Sequence, residues 1–295
     1  MALLAHRERV VGYDAIMGLC GMAFSLPVTE SFLPADSEPL RCSDVPAGLE
    51  TLGLDARLWT CSPDAPPLVE AVRAAIDAGF AVPVLGWPEG DSGWAILGGY
   101  DLGRGVLCGW PQRVELDSYL GAAPAGSLAV ICRGTRVPSP RPEAIERTLA
   151  RVAANSEALG LAYEKWCTSI DERWERDPEH PESLDRVLGH ERLTEGLADS
   201  RAAAARFLRR AADVLGGLRA EWLLAVAETC DELSAAVETR QPPLFSDKMP
   251  KALATAAWRS RWREQIGHLW ALDLRIAANI GRALTSDLGP DELIL

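Results

Sequence analysis

Val11-Gly-Tyr-Asp-Ala-Ile-Met-Gly-Leu-Cys-Gly-Met-Ala-Phe24 places a Cys-Gly pair inside a short apolar run, and the interpretation of the whole chain depends on it. Asp14 lies six residues before Cys20, and glycines at positions 12, 18 and 21 would let a substrate or another backbone approach closely. At the start of a buried helix, the helix N-terminus would stabilise a thiolate, which makes Cys20 a candidate nucleophile. The alternative is a buried helix in which Cys20 is a small hydrophobic residue.

Composition restricts the classes of partner. The chain has 295 residues, enough for one large or two ordinary domains, and a formal net charge of -12. This charge argues against nucleic acid and anionic membrane surfaces as partners. No apolar run approaches the roughly 20 residues of a membrane span, and the N-terminus does not resemble a signal peptide. We therefore expect a cytoplasmic protein.

Cysteine and histidine usage limits the available chemistry. The seven cysteines are irregularly spaced without a C-x-x-C pair, so the sequence indicates neither a metal site nor a disulfide framework. Nothing in the sequence indicates a cofactor. With only four histidines in the chain, few residues can act as a general base.

Residues 1–136 alternate short elements. The sequence predicts strands over residues 54–61, 106–110 and 127–132, and continuous apolar runs predict strands over residues 80–87 and 93–100. Helical spacing predicts a helix over residues 66–78 that stops at Gly79. The turn residues 101–105 predict a β-hairpin between the strands over residues 93–100 and 106–110. This region is therefore expected to be an α+β domain in which helices accompany an antiparallel sheet.

A proline-rich linker over residues 137–142 separates this domain from a second one of different character. Residues 143–288 are rich in alanine, leucine, arginine and glutamate, and apolar positions at steps of 3 and 4 predict a mostly antiparallel helical bundle. We expect a loop with a short turn of helix over residues 174–196, a helix capped by Asp199, an interruption at Gly216-Gly217 and a last helix over residues 251–284.

Two polar residues, Ser156 and Asp273, interrupt the apolar faces of the predicted helices. A carboxylate in a bundle core is costly unless it is paired or hydrogen-bonded. Asp273 is therefore expected either to form a salt bridge with an arginine such as Arg201 or to point towards a ligand between the two domains.

The motif Asp14-x5-Cys20-Gly21, followed by Gly93-Trp-Ala-Ile-Leu-Gly-Gly-Tyr-Asp101, resembles the papain-like cysteine peptidase superfamily. It is most similar to the N-terminal domain of the butirosin-biosynthesis acyltransferase family and to the peptidase-like domain of bacteriocin-processing transporters. Leu161-Ala-Tyr-Glu-Lys-Trp166 and Asp199-Ser-Arg-x4-Arg-Phe-Leu208 resemble the C-terminal region of the butirosin-type proteins. The resemblance implies a papain-like N-terminal domain, an all-α bundle and a nucleophile at Cys20.

The sequence departs from the family pattern at the other functional positions. Asp14 stands where the family has the glutamine of the oxyanion hole, and an ionised carboxylate would repel an oxyanion. Gly93 or Trp94 stands at the position of the histidine, and the orienting Asp or Asn position falls near Gly109-Trp110. Without a base near the sulfur, proteolysis by the family mechanism is not expected.

Three functions follow from this pattern. The first is a non-peptidase, papain-like protein that binds a small, cationic molecule in the cleft beside Cys20, through aromatic and acidic side chains. The candidate ligand-binding residues are Tyr13, Asp14, Trp87, Glu89, Asp91, Trp94, Trp110 and Asp273. The second is a Cys20-dependent acyl or amide transferase of specialised metabolism, or an amide hydrolase, with His268 or another residue of the helical domain as base. The third is a structural or protein-interaction module; a homodimer is compatible with all three.

Overall fold

The computed structural model describes residues 13–26, 28, 48–50, 55–60, 68–85, 94–103, 106–110, 113–115, 128–133, 142–171, 181–238 and 255–285. The chain divides into two compact units, which we call the sheet unit (Met1–Ile16 and Cys42–Arg141) and the helical unit (Met17–Arg41 and Pro142–Leu295). The division falls inside helix α1, Tyr13–Leu19. The general α+β class is confirmed, because an antiparallel sheet accompanies the helices.

Besides the start of α1 and helical residues 48–50, the described residues of the sheet unit form a further helix and six strands. In chain order these are β1 (Asp55–Thr60), α2 (Leu68–Asp77), β2 (Val82–Leu85), β3 (Trp94–Asp101), β4 (Val106–Trp110), β5 (Arg113–Glu115) and β6 (Leu128–Arg133). The strands form one sheet in the order β1-β6-β2-β3-β4-β5, and every neighbouring pair is antiparallel. The last strand in sequence therefore lies between β1 and β2.

Local sequence accounts for these elements. Each predicted strand is present, because an apolar run bounded by turn residues has few alternatives to a buried strand. Helix α2 ends where the sequence predicted: Gly79 has a φ of 83°. The amide N–H of Phe80 donates to the carbonyl of Ala75 at 2.9 Å, and that of Gly79 donates to Ile76 at 2.8 Å. This is the hydrogen-bond pattern of a glycine-terminated helix.

The predicted hairpin is also present. Strands β3 and β4 pair in antiparallel register, with Asp101 opposite Val106. The Asp101 carboxylate accepts a hydrogen bond from the Gly103 N–H at 2.9 Å, so the aspartate stabilises the turn that follows it. The register shifts between Leu97 and Gly99, which places a β-bulge at Gly98. Strand β5, which pairs with β4, was not predicted.

The helical unit consists, among its described residues, of the end of α1, a 3₁₀ turn and five helices. The turn spans Met22–Phe24. The helices are α3 (Pro142–Ala154), α4 (Ser156–Asp171), α5 (Pro181–Leu215), α6 (Gly217–Glu238) and α7 (Ala256–Thr285). Helices α5 and α6 pack together, α7 packs on α6, α3 and α4, and the 3₁₀ turn packs on α5. The predicted break between α5 and α6 is confirmed, since Gly216 and Gly217 have φ values of 64° and 58°.

Two predictions about this unit were wrong. The charged segment expected to be a loop over residues 174–196 is helical from Pro181 onwards; proline is well suited to the first position of a helix because its missing N–H has no partner there. Asp199 therefore lies within α5, on its exposed side, and does not cap a helix. In addition, the apolar repeat of residues 145–170 is divided between α3 and α4 at Asn155.

The core of the helical unit follows the predicted apolar faces. The face that runs from α3 into α4 is buried at Ile145, Leu149, Tyr163, Trp166 and Ile170. Helix α7 buries the predicted residues Trp262, Ile266, Leu269, Ile276 and Ile280. The polar exception, Asp273, is buried with them.

Candidate functional site

The cysteine lies at the end of a helix rather than at its start. Helix α1 ends at Leu19, and Cys20 and Gly21 form the turn that leads to the 3₁₀ turn. Gly21 adopts the left-handed conformation, with φ 76°, and its N–H donates to the Gly18 carbonyl at 2.9 Å. The expectation of a thiol at a helix N-terminus was therefore wrong. The carbonyl end of a helix carries partial negative charge, which disfavours a thiolate.

Side chains of α3 surround the backbone next to this cysteine. Cys20 is 1% exposed. The Leu19 carbonyl accepts hydrogen bonds from Thr148 Oγ1 at 3.4 Å and from Arg151 Nη2 at 3.2 Å. A Cβ on Gly21 would lie 3.2 Å from the same Arg151 nitrogen, so glycine leaves room there for the guanidinium. The last turn of α1, whose carbonyls lack partners within the helix, is thus completed by donors from α3.

One aromatic ring of α5 fills the concave side of this segment. A Cβ on Gly18 would lie 2.1 Å from Cγ of Phe207, so the ring packs directly on the backbone of α1. The same ring meets Phe24 edge to face, with centroids 6.3 Å apart. Glycine at position 18 therefore serves the packing of Phe207 against the helix rather than the approach of a substrate.

A buried ion pair lies at the centre of the helical unit. Arg201 of α5 donates to Asp273 of α7 through two parallel hydrogen bonds, Nε to Oδ1 and Nη2 to Oδ2, both at 2.6 Å. The hydroxyl of Tyr163 on α4 donates to Asp273 Oδ2 at 2.8 Å. The carboxylate that interrupts the apolar face of α7 is therefore paired with Arg201, which is the first of the two alternatives predicted from the sequence.

The remaining donors of Arg201 hold the cysteine-bearing segment. Its Nη1 donates to the carbonyls of Ala23 at 2.8 Å and Ser25 at 3.2 Å, and to Ser200 Oγ at 3.1 Å. A single guanidinium therefore links α7, α5 and the 3₁₀ turn. Because a guanidinium offers its donors in a fixed planar fork, the position of Asp273 determines where the turn can lie.

Burial and neighbouring charges in this core shift the pKa values of its ionisable side chains. Burial, with the adjacent Asp273 carboxylate, raises the pKa of Tyr163 well above its ordinary value of 10.0. Burial lowers the pKa of Arg201, but the Asp273 carboxylate outweighs it and the net shift is upwards. Burial also raises the pKa of the Cys230 thiol on α6. A neutral Tyr163, a charged Arg201 and a protonated Cys230 thiol are therefore the stable forms at neutral pH.

An aromatic cluster extends from this ion pair. The Tyr163 ring stacks on Trp166 and Trp270, with centroids 6.0 and 6.2 Å apart, and Trp166 meets Trp262 edge to face. Trp166 Nε1 donates to Nδ1 of the buried His190 at 2.9 Å, so this nitrogen is not protonated. Sequence reasoning missed the cluster, although the spacing of the Tyr163-Trp166 pair on one helix could have indicated it.

The remaining predicted ligand-binding residues that the structure describes all belong to the sheet unit. Tyr13 is 40% exposed and Asp14 is buried. Trp94 begins β3 and is paired with Leu85, while Trp110 ends β4 and is paired with Ile96, so the backbones of both tryptophans lie at one end of the hairpin. Trp87, Glu89 and Asp91 lie outside the described residues.

The base proposed for Cys20 has a different environment from the thiol. His268 lies on the exposed side of α7, next to Leu269, which faces the core. His190, another histidine of the helical unit, is buried and accepts the hydrogen bond of Trp166. A general base must lie within hydrogen-bond reach of its nucleophile. His268 is exposed whereas Cys20 is buried, and His190 is bonded to Trp166, so neither histidine has the surroundings of such a base.

The described residues show neither a metal site nor a membrane-spanning helix. In the part of the chain that the structure describes, no group of three or more His, Cys, Asp and Glu side chains could hold a metal ion. Within the same residues, no helix has both the length and the apolar character needed to cross a membrane. No family model and no curated protein matches the sequence of the chain.

Proposed function

We propose that this chain is a non-catalytic, papain-like binding protein that takes a small, cationic molecule beside the cysteine-bearing segment. In this proposal Cys20 is a packing residue and does not act as a nucleophile. The proposal joins the resemblance of the sequence, which implies a peptidase-type cleft, to the local surroundings of the thiol, which differ from those of a catalytic cysteine.

The placement of Cys20 is the observation that carries the proposal. A nucleophile must meet its substrate and must be able to ionise. Cys20 is 1% exposed and follows the carbonyl end of α1. Its neighbours contribute packing and backbone hydrogen bonds, through Phe207, Thr148 and Arg151. These features favour a structural role for the thiol.

The charge of the chain and an exposed aromatic ring favour a cationic ligand. The formal net charge of -12 attracts cations over the range of a Debye length. Tyr13, with 40% of its surface exposed, offers a ring next to the first turn of α1, and aromatic faces attract cations. Tyr13, the first residue of α1, therefore offers one exposed ring for such a contact.

Binding of spermidine to the full chain, measured by isothermal titration calorimetry at low ionic strength, tests the proposal. We expect saturable binding that Cys20→Ala leaves unchanged. Tyr13→Leu should weaken binding about two- to fivefold, the loss of one exposed cation–π contact, whereas Tyr13→Phe, which keeps the ring, should bind as the wild type does. Absence of saturable binding, or a loss of binding in Cys20→Ala, would refute the proposal.

One observation favours the second candidate, an acyltransferase that uses Cys20. The Arg151 guanidinium donates to the Leu19 carbonyl at 3.2 Å, which places a cation one residue from the thiol, and nearby cations stabilise thiolates. The test is incubation of the full chain with a butyryl thioester of N-acetylcysteamine. In an acyltransferase the Cys20 sulfur attacks the thioester carbonyl, a new thioester forms and N-acetylcysteamine leaves with the proton. Intact-mass analysis that finds no butyryl group on Cys20 would exclude this function.

A further inference from the structure

We infer that residues 18–25, which we call the strap, open from the helical unit as one local segment, and that Arg201 holds the strap in the closed position in which the Cys20 thiol is buried. This conformational device does not depend on which ligand the protein binds.

Four hydrogen bonds that join the strap to the helices have a common form. In these four, a side chain from the helical unit donates to a backbone carbonyl of the strap. Thr148 and Arg151 of α3 donate to Leu19, and Arg201 of α5 donates to Ala23 and Ser25. Two of the three donors are guanidinium groups, and hydrogen bonds from charged donors are the stronger kind.

Arg201 differs from the other two donors in its surroundings. Its side chain is 1% exposed and is oriented by two hydrogen bonds to Asp273. Asp273 is in turn fixed by Tyr163. Because the fork of the guanidinium is held on one side, its Nη1 is directed at the strap on the other. Removal of this side chain therefore takes away the donor to the strap carbonyls of Ala23 and Ser25.

The strap is small compared with the helices that it contacts. Its apolar contact with α5 is centred on Phe207, which packs on Gly18 and meets Phe24. A short segment opens with a smaller free energy than the cooperative core does. Opening of the strap would expose Cys20, whereas opening of the core would be needed to expose Cys230, which is 0% exposed on α6. Labelling of Cys20 therefore reports opening of the strap, and labelling of Cys230 reports opening of the core of the helical unit.

The experiment is pulsed alkylation of the full chain with iodoacetamide under native conditions, with the label at each cysteine quantified by peptide mass spectrometry. In this reaction the sulfur displaces iodide and the thiol proton goes to the buffer. The test variant is Arg201→Met with Asp273→Leu, which replaces the buried pair by apolar side chains and so leaves no uncompensated charge in the core. The matched control is Arg275→Met with Glu232→Leu, which removes an ion pair of the same type between α7 and α6 whose side chains are 50% and 52% exposed.

In the test variant, Cys20 should be labelled at least about tenfold faster than in the wild type, because the strap loses its two charge-assisted hydrogen bonds from Arg201 and one such bond accounts for about tenfold. Labelling of Cys230 should be unchanged, and the control should behave as the wild type at both thiols. Equal acceleration at Cys20 and Cys230 would mean that the whole unit opens and would overturn the inference. An unchanged rate at Cys20 would overturn it as well.

A second variant keeps the test decisive if the first one does not fold. Thr148→Val retains the shape of the side chain and removes only the donor to the Leu19 carbonyl. It should increase labelling of Cys20 about threefold, because a neutral hydrogen bond contributes less than a charged one, and should leave Cys230 unchanged. If labelling is accelerated at neither thiol, or equally at both, the inference that the strap opens as a local segment is wrong.

Discussion

Gly18 provides the sharpest test of how the cysteine-bearing segment packs. In Gly18→Ala the new Cβ would lie 2.1, 2.3 and 2.6 Å from Cγ, Cδ2 and Cδ1 of Phe207, whereas ordinary contact begins at 3.4 Å. The ring would have to move by more than an ångström. Phe207 is buried in α5 and also contacts Phe24, so it has little room in which to move.

Two opposed effects determine how much Gly18→Ala changes the free energy of unfolding. Glycine to alanine inside a helix usually stabilises by about 0.5–1 kcal/mol, because the unfolded chain loses conformational freedom. Added volume in a packed core costs about 1–3 kcal/mol, and a contact as short as 2.1 Å calls for the upper part of that range. Gly18→Ala should therefore lower the free energy of unfolding of the helical unit by about 1–2 kcal/mol.

Urea unfolding of the full chain, followed by far-ultraviolet circular dichroism, measures this change. Gly196→Ala in α5 and Gly267→Ala in α7 are matched controls, because both glycines are exposed and an added Cβ would meet no atom within 4 Å. Each control should stabilise by about 0.5–1 kcal/mol. In a Phe207→Ala background, Gly18→Ala should no longer destabilise. If Gly18→Ala raises stability as the controls do, Phe207 does not pack on this glycine and the reasoning fails.

The buried ion pair and an exposed one should respond differently to substitution in the same assay. Arg201→Met should cost about 3–5 kcal/mol because it leaves the Asp273 carboxylate unpaired, and adding Asp273→Leu should recover most of that loss. Tyr163→Phe should cost about 1–2 kcal/mol, one hydrogen bond to a charged acceptor. The free energy of unfolding of the wild type should also fall as the pH rises above 10.0, because Tyr163 has a higher pKa in the folded protein and keeps its proton there after the unfolded chain has lost it. In Tyr163→Phe, which has no phenol at this position, the free energy of unfolding should fall less over the same pH range. Arg275→Gln, which breaks the exposed pair with Glu232, should change stability by less than about 0.5 kcal/mol.

The elements of the sheet unit could be predicted from local sequence, but their order could not. Apolar runs and turn residues locate β1, β2, β3, β4 and β6, because a buried strand needs only a short continuous pattern. The insertion of β6 between β1 and β2 depends on pairing across the whole unit, for which the sequence of a single strand carries no signal. Strand β5, with three residues, is too short to show any period.

The helical unit shows which polar residues can be interpreted from sequence alone. Asp273 stands out because it interrupts an apolar face, and the cost of burying a lone carboxylate is enough to predict a cationic partner. The donation from Arg201 to the carbonyls of Ala23 and Ser25 could not be predicted in this way. Every residue has a backbone carbonyl, so the sequence does not indicate which carbonyls accept these hydrogen bonds.

The position of Cys20 was predicted wrongly although the sequence contains the relevant signals. Asp14 lies in the first turn of α1, where acidic residues favour a helix start, and Gly21 follows two residues after the last helical one, Leu19, where glycine favours a helix stop. Together these residues describe a complete short helix that ends before the thiol. The resemblance to a peptidase motif favoured the opposite interpretation, a helix that begins at the thiol. The difference matters for chemistry, because the first arrangement places the sulfur beside carbonyl groups and the second beside N–H groups. Thr148 and Arg151 donate to the Leu19 carbonyl, as the end of a helix requires and its start does not.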